Sequence, residues 1–169
     1  MLTTIEKVIS LQGVDIFSQV SAEELAYLAA IVKEEQHDAG EVIYNDKDQA
    51  GSMYLVVEGS VRLHRDELDI RVAGGGDTFG TWALFDDEPR VGTATVVEEA
   101  RVLRIDKEDF IDLLADNIEI TQGVLKDLVG RVRGLTDFRA PAKATEMVDV
   151  EAFLRRVGGG RAPDGDSPE

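Results

Sequence analysis

The sequence predicts an α+β fold: short N-terminal helices, a compact antiparallel β structure, and a long C-terminal helix. Three observations predict it. Apolar residues recur at helical spacing behind good caps between Thr3 and Val32, short apolar alternations separated by glycine and acidic turns fill 32–106, and helical spacing returns from Lys107 onward. At 169 residues and 43% apolar composition the chain can bury one core, and a second domain of normal size would leave too little for either.

The first helix places Ile5, Val8, Ile9 and Leu11 near one face, and Gly13 stops it. Ser21 caps a second helix over 22–32, with Glu24 closing a capping box and Val20 stapling onto Leu25. Strands are expected at 32–37, 41–44, 52–58, 60–64, 70–73, 93–97 and 100–105. Glu58-Gly59 reads as a tight corner joining two of them, because glycine takes the positive φ that a hairpin requires.

From Lys107, the apolar residues Phe110, Ile111, Leu113 and Leu114 mark a short helix, and a longer one follows over 117–138. In the longer helix Ile118, Leu125, Leu128, Val132 and Leu135 form a seam for another element or for a second copy, so a homodimer through this helix is expected. Gly123, Gly130 and Gly134 inside it each cost about 1 kcal/mol relative to alanine. Either a backbone packs closely there or the helix is meant to loosen. A brief amphipathic stretch at 148–157 leads through Gly158-Gly159-Gly160 into an acidic tail expected to be disordered. The division is a domain over 1–138 (helices 3–32, β structure 32–106, helices 107–138) and a segment over 139–169.

The absence of cysteine excludes disulfides, thiolate catalysis and cysteine-based metal sites, and fits a cytoplasmic setting. No signal peptide and no apolar run of membrane-spanning length is present, so direct membrane insertion is not expected. A net charge of −16 would repel a phosphate backbone, which excludes nucleic acid as an expected partner, and it otherwise serves solubility. Neither His37 nor His64 has a triad or metal-site pattern around it, and both are expected at ordinary surface positions. The stretch 46–51 starts like a calcium loop but has Ala50 and Val57 at its fifth and twelfth positions, so it reads as a solvated turn. With no catalytic constellation, the chain reads as a non-enzyme that needs no cofactor.

The informative segment is 74–93. A glycine-rich turn, Gly74-Gly75-Gly76-Asp77, leads into Phe79-Gly80-Thr81-Trp82-Ala83-Leu84, one helical turn whose free N–H groups suit an anion. Arg90 follows as the one basic group in an acidic stretch, and its planar fork of donors suits a phosphate. It could equally pair with Asp86, Asp87 or Glu88. Pattern alone leaves both readings open.

Phe79-Gly80-Thr81-Trp82-Ala83-Leu84 with Pro89-Arg90-Val91-Gly92-Thr93 resembles the phosphate-binding cassette of the cyclic-nucleotide-binding domain family, whose form is Phe-Gly-Glu-x-Ala-Leu and Pro-Arg-[Ala/Ser/Thr]-Ala-Thr. That family includes catabolite activator proteins, protein kinase A regulatory subunits and cyclic-nucleotide-gated channels. Gly40-Glu41-Val42-Ile43 and Tyr54-Leu55-Val56-Val57-Glu58-Gly59-Ser60-Val61 are similar to two further family elements. The resemblance implies an antiparallel β-roll of the jelly-roll, double-stranded β-helix type. It implies that Arg90 neutralises the exocyclic phosphate and that backbone N–H groups near Trp82 and Ala83 bind its oxygens. The base would lie against Leu63 and Val72, while Phe79, Gly80, Thr81, Val91 and Gly92 complete the ligand-binding set. Trp82 itself is expected to pack against the roll rather than stack on the base.

Three departures matter. Thr81 stands where the family's glutamate accepts a hydrogen bond from the ribose 2′-hydroxyl, Val91 stands where some members carry a guanine-contacting threonine, and Lys47 replaces a glycine in the Glu-Gly-Asp turn. The resulting expectation is a regulatory module that binds a cyclic nucleotide, cAMP favoured, with weakened ribose recognition. It would signal through its C-terminal helix to a partner or to a larger host such as a channel or transporter; the start at Met1-Leu2-Thr3 suits a fragment of that kind. The residues beyond Phe138 are too few for a winged helix-turn-helix. The alternative is a degenerate domain that dimerises or docks without nucleotide.

Overall fold

Two capping boxes open the N-terminal helices of the computed structural model, which describes residues 1–136. In α1 (Thr4–Gln12) the Thr3 hydroxyl accepts from the Glu6 N–H while the Glu6 carboxylate accepts from the Thr3 N–H, and Ser21 and Glu24 repeat the device at α2 (Ala22–Ile31). The face expected for α1 is only half right. Leu11 is buried, but Ile5 and Ile9 are 72% and 61% exposed, because one side of this short helix has nothing packed over it. Between the helices a 3-10 turn, Asp15–Phe17, which sequence patterning missed, drives Ile16 and Phe17 into the core.

Among the described residues the sheet has six strands: β1 (Lys33–His37), β2 (Val42–Tyr44), β3 (Ser52–Arg65), β4 (Leu68–Ala73), β5 (Thr78–Phe79) and β6 (Thr93–Asp106). All pairings are antiparallel in the order β1-β6-β3-β4, with β2 also on β6 and β5 on β3, which gives the expected β-roll. The expected corner at Glu58-Gly59 is not a hairpin. β3 runs through it as one strand and pairs with an equally continuous β6, the register shifting from Glu58↔Arg101 to Ser60↔Glu98. Gly59 does have positive φ, +82°, but uses it to bend the strand against β6, where a Cβ would lie 2.7 Å from Ala100 Cα and would also strike the Glu99 carbonyl oxygen.

The two long strands each serve two cores. Met53, Leu55, Leu103 and Ile105 pack against the helices with Phe17, Leu25 and Phe110. Tyr54, Val56, Val96 and Val102 alternate with them and fill the inside of the roll with Phe79 and Ala94. This double burial explains why the first five residues of β3 are all buried.

α3 (Lys107–Asp116) and α4 (Ile118–Thr136) are separated at Asn117, whose backbone is extended at φ −132° and ψ 91°. α4 buries Ile120 and Val124, whereas the seam residues Ile118, Leu125 and Val132 are exposed and Leu128 packs at the core's edge. Gly123 answers the question its helix posed: a Cβ there would lie 2.8 Å from the Gln19 carbonyl oxygen and 2.9 Å from Val20 Cγ2. Gly130 meets nothing within 4 Å. Met1–Gly134 form one compact unit; the stretch at 148–157 and the tail lie outside the described residues. No helix among the described residues is long and apolar enough to cross a membrane.

Asp106, at the junction of β6 and α3, ties three strands together. It accepts from Lys33 Nζ at 2.6 Å, Ser52 Oγ at 2.7 Å and Arg104 Nε at 2.6 Å. Burial alone would raise its pKa, but these three donors outweigh burial and draw it down from 3.8 to about 2. A carboxyl whose pKa is depressed by folding adds stability above its unfolded pKa and loses it as pH falls through the folded one. Asp106→Asn is therefore expected to lower the urea midpoint near pH 6 and to flatten its decline between about pH 4 and pH 2. Parallel pH profiles for parent and variant would contradict this.

Candidate ligand-binding site

The open end of the roll holds a cavity of about 1210 Å³, walled by β3, β4, the 3-10 turn Thr81–Leu84 and the segment 89–92. Leu63, Phe79, Gly80, Thr81, Trp82, Ala83, Arg90, Val91 and Gly92 all line it.

Arg90 is held from both ends. Its backbone is bracketed by the turn at 46–48: Lys47 N–H donates to the Arg90 carbonyl at 2.9 Å, and Arg90 N–H donates to the Asp48 carbonyl at 2.8 Å. Lys47 adopts φ +67° to do so, the conformation in which a glycine would be unstrained. The Arg90 side chain is 8% exposed, its guanidinium carbon 4.0 Å above the centre of the Tyr44 ring, and Nη2 donates to the Ser52 carbonyl at 2.6 Å. Nε has no partner among the described residues.

No carboxylate among the described residues lies within 4.0 Å of this guanidinium, so the alternative of an ion pair with its acidic neighbours is set aside. Asp87 instead pairs with Lys107 at 2.6 Å, and the Asp86 side chain accepts from the Glu88 N–H at 3.2 Å. Burial lowers the Arg90 pKa, opposed by Tyr44, Tyr54 and Asp48; the group keeps its charge regardless. A buried, charged arginine stacked on a neutral phenol and lining a cavity has the chemistry to receive an anion.

Gly80 makes room for it, and Gly92 lets its segment close against β3 and β4. Gly80 has φ +69°, and a Cβ there would lie 2.5 Å from Arg90 Nη1 and 3.1 Å from the Ser52 carbonyl oxygen. At Gly92 a Cβ would lie 2.9 Å from both the His64 carbonyl oxygen and Ile70 Cδ1. In the 3-10 turn the Ala83 N–H donates to the Gly80 carbonyl at 3.2 Å, so one of the two backbone donors expected there is engaged.

Three expectations need correction. Val72 does not line the cavity and is 56% exposed. It pairs with Arg62, whereas Leu63 pairs with Arg71, so alternation turns Val72 to the other face and brings Arg71 inward beside Ile70. Trp82 does not pack against the roll. It is 60% exposed at the cavity mouth, because the turn that carries it is too short to fold the indole back over the sheet. The histidines are half-buried rather than at the surface: His64 meets Thr95 Oγ1 and the Asp66 carbonyl at 2.9 Å each, and His37 sits 3.2 Å from Glu35. No group among the described residues has the composition of a metal site.

Arg71 is among the cavity residues that sequence reasoning missed, with Tyr44, Ile70 and Arg131. For Arg71 the available signal was register, since Val61 and Ala73 form a buried pair and the next inward pair on the two strands is Leu63 with Arg71.

Comparison with known proteins agrees with this fold. A family model described as the cyclic nucleotide-binding domain matches residues 34–117. The CRP-like cAMP-activated global transcriptional regulator of Mycobacterium tuberculosis is 27% identical over 123 residues, 70% of this chain and 55% of that protein. Rap guanine nucleotide exchange factor 3 of Homo sapiens is 37% identical over 93 residues, 53% of this chain and 10% of that protein. The N-terminal domain of a transcriptional regulator from Streptomyces coelicolor superposes with a TM-score of 0.73 at 27% identity, over 76% of this chain and 96% of that one. The chain spans about half or less of the length of these curated relatives.

Proposed function

The chain belongs to the cyclic nucleotide-binding domain family, and on that premise we propose that it is a non-enzymatic sensor that takes a cyclic nucleotide, cAMP in preference to cGMP, at Arg90. The observation that carries this reading is the buried Arg90 guanidinium, which lines the cavity with no carboxylate within 4.0 Å and packs where Gly80 has no side chain. Arg90 would pair with the cyclic phosphate and Leu63 and Ile70 would meet the base. The preference for cAMP rests on Val91, which has no hydroxyl for a guanine and is exposed at the rim.

Occupancy would reach a partner through α4, which sends Arg131 to the cavity and leaves Ile118 and Leu125 exposed for a second copy or for a larger host protein. A ligand that binds one arrangement of this helix better than another shifts the population between them, and no reaction is required.

Calorimetric titration with cAMP and cGMP tests the proposal, which expects saturable binding with cAMP the tighter. Thr81→Glu restores a charged acceptor for the ribose hydroxyl and is expected to tighten cAMP about ten- to a hundred-fold. Heat gained only in the variant, with none in the parent, would instead mark a domain that kept the fold and works through its surfaces.

A further inference from the structure

Resting on the reading of the cavity as a cyclic-nucleotide site, the arginines of the molecule divide in an informative way. Among the described residues, Arg62, Arg65, Arg101, Arg104 and Arg131 each have a carboxylate within 4.0 Å, while Arg71 and Arg90 do not. These last two line the same cavity, in a chain whose net charge is −16. Arg65 and Arg131 also line the cavity but are paired with Asp46 and Asp127, so of its four guanidinium groups Arg71 and Arg90 are the two without a carboxylate within 4.0 Å.

Arg71 also stands in a telling place. Its Nη2 donates to the Thr78 carbonyl, and the Thr78 hydroxyl in turn accepts from Thr81 Oγ1 at 3.4 Å. Thr81 occupies the position from which the family's glutamate would receive the ribose 2′-hydroxyl. The sugar end of this cavity therefore offers a guanidinium and a neutral hydroxyl where an acceptor-only carboxylate would stand, and its electrostatic sign is reversed. Both Arg71 and Arg90 act on the Tyr44 phenol, placing the second cation within electrostatic reach of the ring that carries the first. The cavity, about 1210 Å³, leaves room beyond a single compact ligand.

We propose that the ligand is a nucleotide with a second anionic group on its sugar side, Arg90 holding the cyclic phosphate and Arg71 the added anion. The second anion would make a charge-assisted hydrogen bond to a planar donor fork that is already anchored at its other edge.

The probe is 2′-O-succinyl cAMP, in which the ribose 2′-hydroxyl is esterified by a short chain ending in a carboxylate, titrated beside cAMP into the full chain and its variants. The parent is expected to bind the succinyl compound about ten-fold tighter than cAMP. In Arg71→Gln, which keeps a donor for the Thr78 carbonyl, that ratio should fall about ten-fold. Thr81→Glu reads the same sign from the other side and should tighten cAMP while weakening the succinyl compound. A parent that binds cAMP but binds the succinyl compound more weakly, or an Arg71→Gln variant that loses both ligands equally, overturns this inference alone. If neither compound gives heat, or if binding survives Arg90→Ala, the cyclic-nucleotide reading fails and this one with it.

Discussion

Arg90→Ala is expected to abolish cyclic-nucleotide binding, with a loss of at least about a hundred-fold. Two charge-assisted hydrogen bonds to a phosphate, each about 1.5–3 kcal/mol, disappear together, and they disappear from a buried setting where water replaces them poorly. The free protein should not suffer in proportion. Removing the side chain strands the Ser52 carbonyl oxygen and the Tyr44 face, but it also relieves the burial of a guanidinium that has no carboxylate within 4.0 Å. The expected pattern is lost binding by calorimetry beside a thermal midpoint close to the parent's. Arg90→Lys should recover little, because an ammonium has neither the planar fork nor the stacking surface that Tyr44 receives. Binding within about three-fold of the parent in Arg90→Ala would remove the phosphate contact from the account.

The second large effect is structural. Gly59→Ala places a methyl group 2.7 Å from Ala100 Cα and 2.8 Å from Glu99 C, and holds it at φ +82°. The obstructing atoms are backbone of the paired strand, so no rotamer change relieves them. Backing away would undo the register on both sides of the bend. The left-handed conformation costs about 1–2 kcal/mol for alanine and overpacking adds about 1–3, so a destabilisation of about 3 kcal/mol or more is expected in urea denaturation. Gly130→Ala, in open space on a helix, is the control and should be neutral or slightly stabilising. A Gly59→Ala cost below about 1 kcal/mol would mean that the two strands can separate at the bend without penalty.

Where local chemistry determines local structure, the sequence was legible. Ser21 with Glu24 declares its helix, because that signal is complete within a few residues, whereas Arg90 by pattern alone left a phosphate and an acidic neighbour equally open. Gly59 was misread because positive φ serves a hairpin and a bent strand alike. What separates them is which strand lies opposite, and that partner, β6, comes some forty residues later. Val72 and Arg71 exchanged roles for a similar reason. Asp66 takes φ +50° in the turn, and the register slips between Leu63 and His64, so inward and outward positions on β4 cannot be counted from one end. The missing counterion of Arg90 was equally nonlocal: Asp87 lies close in sequence but goes to Lys107 on α3.

The alternation along β3 and β6 has a consequence for how the molecule comes apart. Where the start of β3 pairs with the end of β6, alternate side chains go under the helices and into the roll, so neither hydrophobic layer can open there without the backbone that holds the other. The wall of the ligand cavity therefore borrows its rigidity from a layer on the far side of the sheet. Protein and pocket are therefore expected to melt as one cooperative unit, the cavity keeping its shape through the whole domain's folding free energy as well as its own hydrogen bonds.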